Sequence, residues 1–323
     1  MTDEPMVMTV TGAVPAAALG VTNAHEHLFL RSPALAGQEL DAVDRAIAEV
    51  RDAASHGLQT IVEMTPIGLG RRPDLLRAVS EATGVTLIAA TGYHRDAHYP
   101  ADHWVRTAPV EILAERIVAD LAVGMHPSDW TDGDAAPHGA PDDARAGAIK
   151  AGASYHVVTP AERRRLEAAA IGSRRTGAAI LVHAEVGTCG HEIIDILEEA
   201  GVAPERIILS HMDRNPDLEL HEELAARGVA LEYDTLGRTK YHPDSTLLEL
   251  IQRMVAAGHG DRLMLGCDLG RRDYFRSHGG GPGMAYLLTT FVPRLRRRIG
   301  DAATDAILVA NPARIYAPAE AAP

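Results

Sequence analysis

The run Val21-Thr22-Asn23-Ala24-His25-Glu26-His27-Leu28-Phe29-Leu30 reads as a strand that carries two imidazoles two residues apart. Alternate residues of a strand share a face, so His25 and His27 can approach one metal ion together. A single His-x-His pair among 16 histidines carries little weight. What gives it weight is a repeating pattern downstream, in which apolar runs each end in one ligand-type residue. Ala146-Gly147-Ala148-Ile149-Lys150 ends in lysine, Ala179-Ile180-Leu181-Val182-His183 and Ile207-Ile208-Leu209-Ser210-His211 end in histidine, and Leu263-Met264-Leu265-Gly266-Cys267-Asp268 ends in aspartate. Such a series is the pattern of a metal site built at one rim of a barrel.

Strand-like runs fall at residues 21–30, 60–65, 86–92, 147–153, 179–185, 206–211, 229–234 and 263–268. Helical periodicity fills the gaps at 41–56, 110–123, 160–176, 191–200, 218–227 and 246–258, with glycine stops at Gly57, Gly124, Gly177, Gly201, Gly228 and Gly258. Eight strands alternating with helices predict the α/β class and a closed (β/α)8 barrel, in which functional groups sit at the C-terminal ends of the strands. No Gly-x-Gly-x-x-Gly turn follows the first strand, which argues against a dinucleotide fold. One domain over 1–323 is expected, and the Asp-, Gly- and Pro-rich stretch 126–144 reads as a surface excursion, disordered or a lid.

Composition narrows the classes further. The chain has 323 residues, a net charge of -13 and 46% hydrophobic residues, with basic triplets only at 163–165 and 296–298 inside helix-like segments. Nucleic acid is disfavoured as a partner. No run approaches a membrane span and the start shows no signal-peptide pattern, so no membrane partner and a cytoplasmic location are expected. Two cysteines, Cys189 and Cys267, fit a reducing compartment.

The motifs Asn23-Ala24-His25-Glu26-His27, Ile149-Lys150-Ala151-Gly152, Leu181-Val182-His183-Ala184-Glu185, Ser210-His211-Met212-Asp213, Gly266-Cys267-Asp268 and Asn311-Pro312-Ala313-Arg314 together resemble the phosphotriesterase-related branch of the amidohydrolase superfamily. The resemblance covers nearly the whole chain in the same order. It implies that His25, His27 and Asp268 hold one divalent ion, that His183 and His211 hold a second, and that Lys150 bridges both as an N-carboxylated side chain. The last point has a chemical counterpart, because an ammonium cannot ligate a cation whereas a carbamate can. Zinc suits these ligands, with manganese or cobalt as other occupants. Two such ions would turn a bridging water into a nucleophile and polarise a carbonyl or phosphoryl oxygen. Asp268 is then the group that orients the water and carries its proton to the leaving group.

Other residues near these motifs receive plainer readings. Glu26 and Glu185 alternate away from the ligand face and are expected to support rather than ligate. Cys267 reads as a small buried hydrophobe, and His191, His221 and His259, in helical stretches, as surface residues. His94 and Tyr93 follow the third strand, where either can reach the pocket.

Substrate choice rests on the loops after strands seven and eight. These hold Arg238-Thr239-Lys240-Tyr241 and Arg271-Arg272-Asp273-Tyr274, cations and tyrosines in an otherwise acidic chain. That is where this fold usually grips phosphate. The Lys-Tyr and Arg-x-x-Tyr pair resembles the subgroup that hydrolyses phosphorylated sugar lactones. The resemblance assigns the phosphate to Lys240, Arg271 and Tyr274, with Arg272 as a substitute for Arg271. With 4% aromatic residues, a greasy pocket for neutral triesters or acyl chains is less expected. The expected activity is metal-dependent opening of a small phosphorylated lactone, with Tyr93 as a further substrate contact. Amide hydrolysis of an N-acylated anion, phosphotriester hydrolysis and an unphosphorylated lactone remain open. Family members are commonly dimers, so a homodimer is possible.

Overall fold

The protein is described here from a computed structural model covering residues 4–127 and 141–319. The 128–140 portion of the expected surface excursion lies outside the described residues.

An antiparallel hairpin that sequence reading passed over, β1 (Met6–Thr9) and β2 (Gly12–Pro15), opens the chain. Eight parallel strands follow: β3 (Thr22–Glu26), β4 (Thr60–Glu63), β5 (Thr86–Gly92), β6 (Ala148–Ala153), β7 (Ile180–Ala184), β8 (Ile207–Ser210), β9 (Ala230–Tyr233) and β10 (Leu263–Leu265). Each pairs with its neighbour in chain order. Backbone amides of Cys267 and Asp268 both donate to the His25 carbonyl, at 3.1 and 2.9 Å, and bring the last strand back to the first. The (β/α)8 barrel expected from the alternating pattern is the observed architecture.

Parity along the strands sorts the two layers. Ala24, Val62, Ile88, Ala148, Leu181, Ile208, Ala230 and Met264 form the barrel interior together with Val7 of the hairpin, Leu19 and Tyr316. Their neighbours Ile61, Leu87, Ile149, Val182, Leu209 and Leu231 pack outward against helical residues such as Val50, Leu76, Ile117, Leu166 and Ile193. Each fully buried aliphatic side chain contributes about 1.5–3 kcal/mol of hydrophobic stabilisation.

The helices are α1 (Val43–Ser55), α2 (Pro73–Thr83), α3 (Trp104–Thr107), α4 (Val110–Ala122), α5 (Pro160–Thr176), α6 (Gly190–Glu199), α7 (Leu218–Ala226), α8 (Asp244–Ala256), α9 (Val292–Asp305) and α10 (Asn311–Tyr316). Helix α5 shows why these boundaries were legible. Thr159 caps the Glu162 amide while the Glu162 carboxylate reaches back to the Thr159 amide, Pro160 starts the first turn, and Gly177 ends the helix at φ 75°. Among the described residues no helix is long and apolar enough to cross a membrane.

Candidate metal and anion site

The ligand-type residues meet at one end of the barrel, but strand alternation alone does not bring them there. The register of β3 against β4 shifts between Asn23 and Glu26, so Ala24 joins the interior core and the adjacent His25 still reaches the centre. The strand ends at Glu26, which places His27 just beyond it. His211 (φ 63°) and Asp268 (φ 46°) sit in the left-handed region, a costly conformation for residues with a Cβ and one that clusters at functional sites. Gly266 makes the approach possible, because a Cβ there would lie 2.6 Å from His25 Cβ and 2.9 Å from the His25 amide nitrogen.

The resulting donor set is compact. Ligand atoms of His25, His27 and Asp268 lie within 4.8 Å of one another, as do those of His25, His211 and Asp234. His183 Nδ1 and His211 Nε2 are 2.7 Å apart, and Lys150 Nζ is 3.3 Å from His25 Nε2. Most of the opposite ring nitrogens are held in place. His25 Nδ1 meets Glu232 at 2.9 Å and Asp234 at 3.2 Å, His211 Nδ1 meets Asp234 at 2.7 Å, and His27 Nδ1 meets the Thr65 hydroxyl, which donates to Glu63. Carboxylates and hydroxyls behind the imidazoles fix tautomer and ring direction, as they do for metal-bound histidines. The cluster fits a pair of metal ions.

For three of the four histidines the electrostatics agree with that chemistry. Burial holds His27 down at about 4, His211 at about 3 and His183 well below its ordinary value, so all three are neutral and able to ligate. Burial also lowers His25, but Glu232 and Asp234 pull it up to about 9. Burial brings Lys150 down to about 8 despite the surrounding carboxylates. Burial works against the Asp268 charge, yet Arg238 and the neighbouring histidines hold this carboxyl well below the usual range.

A cavity of about 180 Å³ opens above the cluster, lined by His27, Lys150, His183, His211 and Asp268 and, on the loops, by Lys240, Tyr241, Arg271 and Tyr274. The three clamp residues expected from sequence therefore share one cavity with the metal-type ligands, whereas Arg272 is not among its lining residues. Lys240 Nζ donates to the Tyr274 hydroxyl at 2.9 Å.

Several expectations need correction. Tyr93 does not line the cavity: it is fully buried, its hydroxyl donates to the Leu113 carbonyl at 3.0 Å, and its ring packs edge-on against Trp104. His94 lines the cavity instead. Glu185 does not face away. β7 ends at Ala184, and in the tight turn that follows, the Glu185 carboxylate meets His183 Nε2 at 2.5 Å and lines the cavity. His221 is buried against the Tyr233 hydroxyl at 2.8 Å rather than exposed, because it lies on the core face of α7. His191 is exposed and His259 is half-buried. Glu26 supports from behind, accepting the His27 and Leu269 amides, and Cys267 is buried.

Sequence reading missed Glu232, Asp234, Arg214, His98 and Arg95, and placed Arg238 among the loop cations without a role. Glu232 and Asp234 did leave a signal, two carboxylates at strand spacing inside an apolar run. Arg214 left none, and the contact of Arg238 with Asp268 left none either, since both arginines act from loops whose paths only the fold defines.

An eight-stranded barrel with such a cluster at its C-terminal rim defines a class, that of metal-dependent hydrolases. The model of the phosphotriesterase family matches residues 5–316. A phospho-furanose lactonase of Mycoplasmopsis synoviae is 33% identical, with 96% of this chain and 91% of that protein aligned. Among solved structures, an amidohydrolase from Mycoplasma synoviae superposes with a TM-score of 0.93 at 32% identity, covering 98% of this chain and 93% of that one. A lactonase from Listeria monocytogenes superposes with a TM-score of 0.88 at 27% identity, covering 98% and 100%. The chain belongs to the phosphotriesterase family, and it is a hydrolytic enzyme.

Proposed function

We propose that this enzyme is a metal-dependent lactonase that opens a small phosphorylated lactone. The observation that carries the reading is the single cavity in which Lys240, Arg271 and Tyr274 share space with the histidine and aspartate cluster. The matching phospho-furanose lactonase supports the same substrate class.

In this reading His25, His27 and Asp268 would hold one divalent ion and His183 and His211 a second, with Lys150, carboxylated to a carbamate, as a ligand to both; zinc would be the preferred metal. Two ions bound there would supply an activated water and Lewis-acid polarisation of the lactone carbonyl. The lowered pKa of Lys150, about 8, leaves part of this amine neutral near physiological pH, the form that carbon dioxide captures. Asp268 stays ionised and is the group that accepts the proton of the attacking water and delivers it to the departing ring oxygen. Lys240 and Arg271 hold the substrate phosphate by charge-assisted hydrogen bonds, with the Tyr274 hydroxyl completing the grip.

A panel of phosphorylated and unphosphorylated aldonolactones, with an N-acyl amino acid as amide control, tests the reading on zinc-loaded enzyme. Lys240→Ala or Arg271→Ala is expected to lower kcat/KM for the phosphorylated lactone roughly ten- to hundredfold, since such bonds contribute on the order of 1.5–3 kcal/mol each. A wild-type enzyme without preference for the phosphate, or faster on the amide, would refute it.

A further inference from the structure

Tyr241 lines the same cavity as Lys240, Arg214 and Asp268. Its ring centre is 5.0 Å from Arg214 Cζ and 4.9 Å from Lys240 Nζ. Tyr274 repeats the arrangement, with Arg238 Cζ at 5.5 Å and Lys240 Nζ at 5.7 Å. Cations at these distances from an aromatic ring centre are attracted to it. Lys240 thus lies within cation–π range of both rings, and each ring also lies within that range of an arginine.

Both arginines end on the same atom. Asp268 Oδ2 accepts from Arg214 Nη2 at 2.7 Å and from Arg238 at 3.1 Å, while Oδ1 faces His27 Nε2 at 3.4 Å and His25 Nε2 at 3.7 Å. Arg238 is anchored further on the carbonyls of Cys267 and Asp234. The aspartate sits on left-handed backbone, with Oδ1 toward His25 and His27 and Oδ2 toward the two guanidiniums and His211 Nδ1 at 3.8 Å. Its direction is therefore set by the arginines, and the position of Arg214 is set in part by Tyr241.

We propose that Tyr241 is a positioning residue that couples an anion held at Lys240, through Arg214, to the orientation of Asp268. The inference rests on the phosphate reading above. Lys240, Arg214 and Arg238 repel one another, and the tyrosine rings beside them offset part of that repulsion. A substrate phosphate at Lys240 gives that lysine a counter-charge, as Asp268 does for the arginines, and tightens the row from Lys240 through Tyr241 to Arg214. Binding energy from the non-reacting end of the substrate is then used to align the group beside the reacting carbonyl, and it appears in kcat more than in KM.

Steady-state kinetics of Tyr241→Leu and Tyr241→Phe on a phosphorylated lactone and its unphosphorylated analogue, with metal content followed by elemental analysis, test the coupling. In Tyr241→Leu the ratio of kcat on the phosphorylated to the unphosphorylated substrate is expected to fall about tenfold, the equivalent of one partly desolvated cation–π contact. Metal content stays at the wild-type level, and Tyr241→Phe restores the ratio because the ring face rather than the hydroxyl is used. In a Lys240→Ala background, Tyr241→Leu has no further effect on the ratio. An equal loss on both substrates, a rise in KM alone, failure of phenylalanine to rescue, or additivity with Lys240→Ala would each overturn the coupling. A wild-type enzyme indifferent to the phosphate would instead remove the clamp reading itself.

Discussion

At the residue scale the site depends on side chains held from behind. Glu232 touches His25 Nδ1, and Asp234 touches both His25 and His211, so a pair of carboxylates aims two imidazoles at once. Glu232→Gln is expected to weaken metal affinity roughly 10–100-fold while leaving the fold intact, as measured by competition against a chelating dye. Lys150→Ala should lower metal content by elemental analysis, with partial recovery of activity on adding a short carboxylic acid; unchanged metal and turnover would refute the bridge. Asp268→Asn keeps the shape but removes the proton acceptor, and kcat should drop about 10²–10⁴-fold. A variant within a few-fold of wild type would mean that another group moves the proton.

At the element scale the close approach of β10 to β3 matters most. Gly266→Ala puts a methyl group into contact with His25, so the strands must part or His25 must turn. Overpacking of this kind costs about 1–3 kcal/mol, and metal affinity should fall with it, visible as a lower denaturation midpoint and weaker loading. Helix α7 carries a pH-dependent cost. Burial lowers His221 to about 4, against 6.5 for the ordinary group. The unfolded chain therefore binds this proton first, and stability is lost as pH falls from about 6.5 toward 4, by up to about 3 kcal/mol. His221→Gln should flatten that part of the acid-unfolding curve of the metal-free protein, and an unchanged slope would place the acid sensitivity elsewhere.

At the scale of the whole molecule the metal-type ligands come from β3, β6 and the ends of β7, β8 and β10, so ions bound among them would tie most of the barrel's circumference together. A ligand that binds only the folded state stabilises it by about 2.7 kcal/mol at a hundredfold excess over its dissociation constant. Chelation is thus expected to lower the melting temperature and zinc to restore it. Equal melting temperatures with and without zinc would refute binding at this cluster.

The barrel and most of its rim are written in local features of the chain. Eight apolar runs, glycine stops such as Gly177 and caps such as Thr159 are local signals, and a polar residue at the end of an apolar strand can be read without knowing its neighbours. His25, His27, Lys150, His183, His211 and Asp268 were visible for that reason, as were the cationic loop residues Lys240, Arg271 and Tyr274. The hairpin packed on the barrel interior was not visible, since β1 and β2 are four residues each, too short to be read as strands apart from the interior that Val7 and Val14 join. Nor could local pattern find the turn that swings Glu185 toward His183, the burial of Tyr93, or the meeting of Arg214 and Arg238 on one oxygen of Asp268. Those contacts join residues far apart in the chain or beyond the end of a strand, where alternation no longer specifies direction. Only the closed barrel brings the loop after β8, the loop after β9 and the end of β10 to the same carboxylate.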